Sequence, residues 1–215
     1  MVDSARNAGR GMIHRKVIFW EVDTQKDFML PGGKLYVPGA EKLLPNIRKL
    51  TQAARDGRVF LVSHGCFHIP DDPEFKQFPP HCVQGTEGAE FVPEALADVV
   101  YRVPNEPSAT VPPDPFRYQQ VLLEKQTLDI FESRYVQALL KLLPSDAHFV
   151  VFGVVTEYCV AFAAKGLLQR GRQVSIVKDA IETLNPADDQ KMRAELAQLG
   201  ASFITTDQAL KLAAS

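Results

Sequence analysis

The stretch that decides the fold is Phe149-Val150-Val151-Phe152-Gly153-Val154-Val155-Thr156-Glu157-Tyr158-Cys159. Its first four residues are all apolar and rich in β-branched and aromatic side chains, the composition of a strand buried on both faces. A short polar turn follows, and from Glu157 to Gln169 apolar residues recur at helical spacing. A strand that passes straight into a helix is half of a parallel crossover unit.

Working outward, the same alternation repeats. Strands are predicted at residues 17–22, 59–63, 120–123, 174–177 and 202–204, and helices at 133–143 and 186–199. Another helix separates the first two strands. It has Pro38-Gly39 at its entry, Leu43, Leu44, Ile47 and Leu50 at three- and four-residue steps, and Gly57 at its exit, which are ordinary start and stop signals. The expectation is an α/β fold, a three-layer αβα arrangement around a doubly wound sheet of about six parallel strands. A chain of this length usually forms a single domain, here expected over residues 15–215 after a flexible N-terminus, 1–14. That terminus lacks the continuous apolar run of a secretory signal. The segment Pro104 to Pro115 has no periodicity and reads as an extended loop or lid that shapes the pocket.

Composition narrows the function classes. The 215 residues are 46% hydrophobic and 23% charged, with a net charge of −2, so no clustered basic surface invites nucleic acid or anionic lipid. No run approaches the roughly 18 apolar residues needed to cross a bilayer. Three cysteines, Cys66, Cys82 and Cys159, cannot all pair and match no secreted disulfide framework. Free thiols of this kind point to a reducing compartment, the cytoplasm.

In open parallel sheets, ligands bind outside the carboxyl ends of the strands. Asp23, the segment 63–68, Lys125 and Cys159 all fall at such ends. A cysteine at a helix start gains from unpaired N–H groups that favour thiolate and can hold an oxyanion. Each residue has an ordinary structural use: a core filler for the thiol, a cap for the acid, a snorkelling surface group for the lysine. Together at one sheet edge they form a nucleophile set. Cys66, His68, Glu74 and His81 make a second group, whose imidazoles, acid and thiol suit a divalent metal such as zinc, iron or manganese. His64 falls outside that motif, and His14 and His148 read as surface residues.

These residues resemble a known family, the isochorismatase-like cysteine hydrolases, with the nicotinamidases and pyrazinamidases as the nearest branch. The resemblance spans about residues 15 to 207. It rests on Asp23-Thr-Gln25-Lys-Asp27-Phe28, on Phe78-Pro-Pro-His81-Cys82-Val-Gln-Gly85-Thr86-Glu-Gly88-Ala-Glu90, on Lys125 followed by Phe131, and on the turn from Gly153 to Cys159. It implies that Cys159 attacks a substrate carbonyl, that Asp23 takes and returns the proton, and that Lys125 lies between them. It also implies a cis peptide at Val154-Val155 and an oxyanion hole formed by the N–H groups of Val155 and Cys159. Phe28, Phe78, Val154 and Tyr158 would line the substrate pocket, although packing alone accounts equally well for Phe28 and Phe78. Gly85, Thr86 and Gly88 read as turn geometry.

The implied activity is that of a cytoplasmic hydrolase releasing ammonia from nicotinamide or a related small amide through a thioester, in a homo-oligomer with no nucleic-acid or membrane partner. One departure stands out. Cys66 occupies the position where the family usually has Asp, which makes either a softer, thiolate-bearing zinc site or a member without its metal. Carbamoyl or ureido amide hydrolysis, isochorismate cleavage and a non-catalytic binding protein on the same fold remain the alternatives.

Overall fold

The computed structural model describes residues 16–214. The terminal segment 1–14 and His14 lie outside the described residues. All strands belong to one parallel sheet: β1 Val17–Val22, β2 Phe60–Cys66, β3 Val100–Val103, β4 Gln120–Lys125, β5 His148–Val154, β6 Gln173–Glu182 and β7 Ser202–Ile204. Their order is β3-β4-β2-β1-β5-β6-β7. The chain builds outward from β1 through β2 and then returns to place β5 on the other side, so the winding reverses at β1. That reversal opens a crevice at the carboxyl ends of the central strands.

The sheet has seven strands rather than about six. The additional one, β3, is four residues long, half-exposed and at an edge, too short for an alternating pattern to register in the sequence. Strands β2 and β4 also run further than their apolar cores suggest, ending on Cys66 and Lys125. The sheet therefore carries its chemistry on its own last residues.

Strand residues alternate between two cores. Ile18, Trp20, Val62, Leu123, Phe149 and Val151 face one layer, where α3 (Arg134–Leu142), α4 (Ala161–Gln169) and α5 (Pro186–Gln198) contribute Val136, Leu139, Ala163, Leu167 and Leu196. Phe19, Leu61, Leu122, Val150 and Phe152 face the other, where α2 (Leu44–Arg55) and α6 (Thr206–Leu212) contribute Ile47, Leu50 and Ala209. Burying both faces explains the near-continuous apolar runs of the central strands. Among the described residues no helix is long and apolar enough to cross a membrane. The 104–115 segment packs beside α3, where the Tyr135 hydroxyl donates to the Glu106 carbonyl and Arg134 reaches the Pro107 carbonyl. It is not a lid. His148 is half-buried and bonded to Ser175 Oγ at 2.7 Å rather than a free surface residue.

A cluster of polar groups sits inside the apolar sheet. Glu21 is fully buried, in register with Ser63, whose hydroxyl donates to its carboxylate at 2.6 Å. Gln120 Nε2 donates to Ser63 Oγ and to the Ala95 carbonyl, tying the 93–97 connection to the strands. Burial, opposed only in part by the bonds from Ser63 and Thr24, raises the Glu21 pKa from 4.5 to about 8. The folded protein thus keeps a proton that the unfolded chain releases across this window. Stability therefore falls as pH rises from about 5 to about 8, with a slope of up to about 1.4 kcal/mol per pH unit from this residue. Urea unfolding of wild type against Glu21→Gln should show that slope in the former and its loss in the latter.

Candidate active site

Asp23 follows β1 with a φ of 50°, a left-handed conformation that Asp tolerates better than most residues. Its N–H donates to the His64 carbonyl at 2.9 Å, anchoring the turn to β2. Lys125 is the last residue of β4 and pairs in register with Cys66, the last of β2. Cys159 lies in a single wide turn, Thr156–Val160, between β5 and α4. Gly153 sits opposite Val22 in the β1–β5 ladder with a φ of 117°, and a Cβ there would lie 2.0 Å from the Val22 carbonyl oxygen. Only glycine brings the cysteine-bearing strand this close to the aspartate-bearing one.

The three groups converge. Lys125 Nζ is 3.0 Å from Asp23 Oδ2 and 3.5 Å from Cys159 Sγ. The Asp23 and Lys125 side chains are each 1% exposed, so the pair is held away from water. Burial disfavours the charge on Asp23, but the Lys125 ammonium and His64 outweigh it and hold the carboxyl well below its ordinary range. Burial likewise opposes charge on Lys125, and Asp23 keeps it protonated. Burial and the Asp23 carboxylate push the Cys159 thiol well above its usual pKa, with Lys125 pulling the other way. The resting cysteine is thus a neutral thiol, burial opposing the preference for thiolate expected at a helix start. The peptide bond Val154-Val155 is cis.

His64 was not singled out in the sequence. It is fully buried, with Nδ1 3.6 Å from Asp23 Oδ1 and its ring against Trp20. Its place at the carboxyl end of β2, opposite Val22, was the available signal.

Above these groups lies a cavity of about 350 Å³ including its mouth. Asp23, Cys66 and Cys159 form polar parts of its lining, together with Glu74 and His81. Phe28, Phe78, Val154, Val155 and Tyr158 also line it, with Phe78 and Tyr158 edge-to-face at 5.8 Å. Leu35, Leu128 and Leu184, which gave no signal in the sequence, complete the lining. No residue of 104–115 takes part.

Cys66, His68 and His81 bring their ligating atoms within 4.8 Å of one another. Glu74 Oε1 lies 3.8 Å from His68 Nε2 and 3.9 Å from His81 Nε2. His68 Nδ1 bonds Asp72 Oδ2 at 3.0 Å and His81 Nδ1 bonds the Pro79 carbonyl at 2.9 Å. These partners assign the Nδ1 protons and leave both Nε2 lone pairs facing Glu74, the outer-shell arrangement of metal-binding histidines. His68 Nε2 is buried without a hydrogen-bond partner among the described residues. The donor set fits a divalent cation. At the same corner, Lys125 Nζ donates to Cys66 Sγ at 2.8 Å.

Supporting residues fix this geometry. Gln25 brackets Cys66, donating to its carbonyl at 2.5 Å and accepting from its N–H at 2.7 Å. Asp27, in the short helix α1 (Lys26–Met29), accepts the N–H of Cys82 at 2.7 Å, which ties the His81 segment to that helix. A Cβ on Gly88 would fall 2.3 Å from the Asp27 carboxylate. Gly88 is therefore required by close approach, while Gly85, at a φ of 78°, serves a turn.

Comparison with known proteins agrees with this architecture. A family model described as the isochorismatase domain matches residues 18–103 and 102–208. The nicotinamidase of Escherichia coli (strain K12) is 25% identical over 211 residues, covering 86% of this chain and 92% of that protein. The pyrazinamidase of Pyrococcus horikoshii, solved in complex with zinc, superposes with a TM-score of 0.70 at 25% identity, covering 88% of this chain and 99% of that one. The N-carbamoylsarcosine amidase of Thermoplasma acidophilum shares the fold, with a TM-score of 0.68 at 23% identity over 88% of this chain and 96% of that one.

Breaking a buried ion pair leaves an uncompensated charge, at a cost of about 3–5 kcal/mol. Asp23→Asn should lower the unfolding free energy by about that amount, and combining it with Lys125→Met should restore most of it. Denaturant unfolding of the two single variants and the double variant checks both.

Proposed function

The chain belongs to the isochorismatase family, and from that membership we propose that it is a cysteine-dependent, nicotinamidase-like amidohydrolase that converts nicotinamide or a related small amide to the acid and ammonia. The observation that carries this reading is a thiol and a carboxylate that line one aromatic-walled cavity and both meet a buried ammonium. Phe28, Phe78 and Tyr158 offer apolar, aromatic walls suited to a flat ring, whose amide would be directed at Cys159.

The neutral thiol sets the order of events. As Cys159 Sγ attacks the amide carbon, its proton passes to Asp23, and the Lys125 ammonium balances the charge that develops on sulfur. The N–H groups of Val155 and Cys159 are assigned to the oxyanion. Asp23 then returns the proton to departing ammonia, leaving a thioester. Water, deprotonated by the same carboxylate, hydrolyses it. A base that Lys125 keeps ionised at rest can act in both halves without a second titrating group.

His68, His81 and Glu74, with Cys66 as a fourth donor, are the residues that would hold a divalent metal, zinc above all for a site with nitrogen and thiolate ligands. Bound there, such an ion would offer a Lewis-acid anchor to a substrate ring nitrogen. Asp72 and the Pro79 carbonyl orient the two histidines for that task. One observation favours a second reading: the sulfur of Cys66 already accepts from Lys125. A metal-free member acting on a carbamoyl or ureido amide needs no cation at that corner. The remaining expectations, one domain from residue 15 onward, a cytoplasmic location and a homo-oligomer, accompany this reading as proposals.

Ammonia release from a panel of nicotinamide, pyrazinamide and carbamoyl amides tests the reading. Wild type should favour the ring amides, and Cys159→Ala should lower turnover by more than about 10³-fold while folding normally. Metal analysis after dialysis against zinc should find about one equivalent in wild type and none in His68→Ala or His81→Ala. An empty wild type that turns over only carbamoyl amides would favour the second reading.

A further inference from the structure

The mechanism above leaves one nucleophile without a chemical step. Cys66 is a free, buried thiol that lines the same cavity as Cys159. Its sulfur and that of Cys159 are both held against a single nitrogen, Lys125 Nζ, at 2.8 and 3.5 Å. Two sulfurs so placed cannot be separated by more than the sum of those contacts. The third cysteine is set apart: Cys82 does not line the cavity, and its sulfur faces the Gly88 carbonyl at 3.9 Å.

We infer that Cys66 and Cys159, which line one cavity and both contact the Lys125 ammonium, form a redox pair that a small hydroperoxide closes into a reversible disulfide. The reaction proceeds in two displacements. Cys159 Sγ, its proton passed to Asp23, attacks one peroxide oxygen. The S–O bond forms, the O–O bond breaks, and the released hydroxide takes the proton from Asp23 and leaves as water. Cys66 Sγ then attacks the sulfenic sulfur. The S–S bond forms, the S–O bond breaks, and the hydroxide leaves with the Cys66 proton as a second water. Two thiols and one hydrogen peroxide give one disulfide and two waters, the sulfurs losing two electrons to the peroxide.

The site supplies what each step needs. Asp23 is the proton acceptor for the first thiol, and the Lys125 ammonium is the positive charge nearest both sulfurs as they attack. Both buried thiols line the one cavity, so the pair is open only to an oxidant small enough to enter there. A disulfide bond is about 2 Å long, and closing it draws Cys66 off the ammonium and removes it from the metal corner. The pairing stands on geometry alone, whereas its effect on turnover rests on the assignment of Cys159 proposed above.

Intact mass spectrometry of the full-length protein, treated with hydrogen peroxide in the absence of reductant, tests the pair without any substrate. The expected product is a loss of about 2 Da that dithiothreitol reverses, with a non-reduced peptide joining the Cys66 and Cys159 segments. Cys82→Ser should keep that loss. Cys66→Ser should abolish it and instead accumulate gains of about 32 and 48 Da on Cys159. The inference is overturned if wild type shows only gains of about 16 to 48 Da on Cys159 with Cys66 free. A gain of about 14 Da joining Lys125 to Cys66 through oxygen, or a bridge that includes Cys82, would overturn it equally. Because the peptide map of wild type decides the matter, it does not depend on any variant folding, nor on the amidase assignment.

Discussion

The ion pair between Lys125 and Asp23 is the constraint on which the rest of the site depends. Neither charge has access to water, and neither would survive burial alone. Each keeps the other ionised, and the sheet supplies the means: β4 delivers the ammonium as its final residue, and the turn after β1 delivers the carboxylate across intervening β2. With that pair in place, a thiol that burial keeps protonated stands beside an ammonium and an ionised carboxylate. A site built on a resting thiolate would need a different balance, with less negative charge beside the sulfur.

Around this pair the backbone is unusually constrained. Asp23 and Cys82 both adopt left-handed conformations without being glycine, and such positions persist only where neighbours over-determine them. For Asp23 the neighbour is the His64 carbonyl; for Cys82 it is Asp27, which itself requires the bare Cα of Gly88. The opening motif of the chain is therefore less a set of reacting groups than a clamp. One member, Asp23, meets the lysine, Gln25 grips the end of β2, and Asp27 grips the loop that carries His81.

The layer architecture and most strand positions were legible in the sequence, because buried parallel strands leave runs of apolar residues that few other structures produce. Asp23, Lys125 and Cys159 were legible for the complementary reason, each being a polar group at the end of such a run. What escaped notice had no contrast with its surroundings. Strand β3 is short and half-exposed; His64 lies among other polar residues; Asp72 and Leu184 belong to connections whose paths only the folded chain defines. The raised pKa of Cys159 was not legible, because the sequence displays the helix after it but not the depth of its burial.

The two kinds of cavity wall differ in how freely they can change. The reacting floor is locked by strand register and by glycines that admit no side chain, so alteration there disrupts the fold as well as the chemistry. Leu35, Leu128 and Leu184 come instead from connecting segments and bear on the cavity only through bulk and greasiness. A lineage could thus exchange one amide for another by reshaping these three positions, its reactive apparatus inherited intact. Diversification of diet and conservation of mechanism are assigned to separate parts of the molecule.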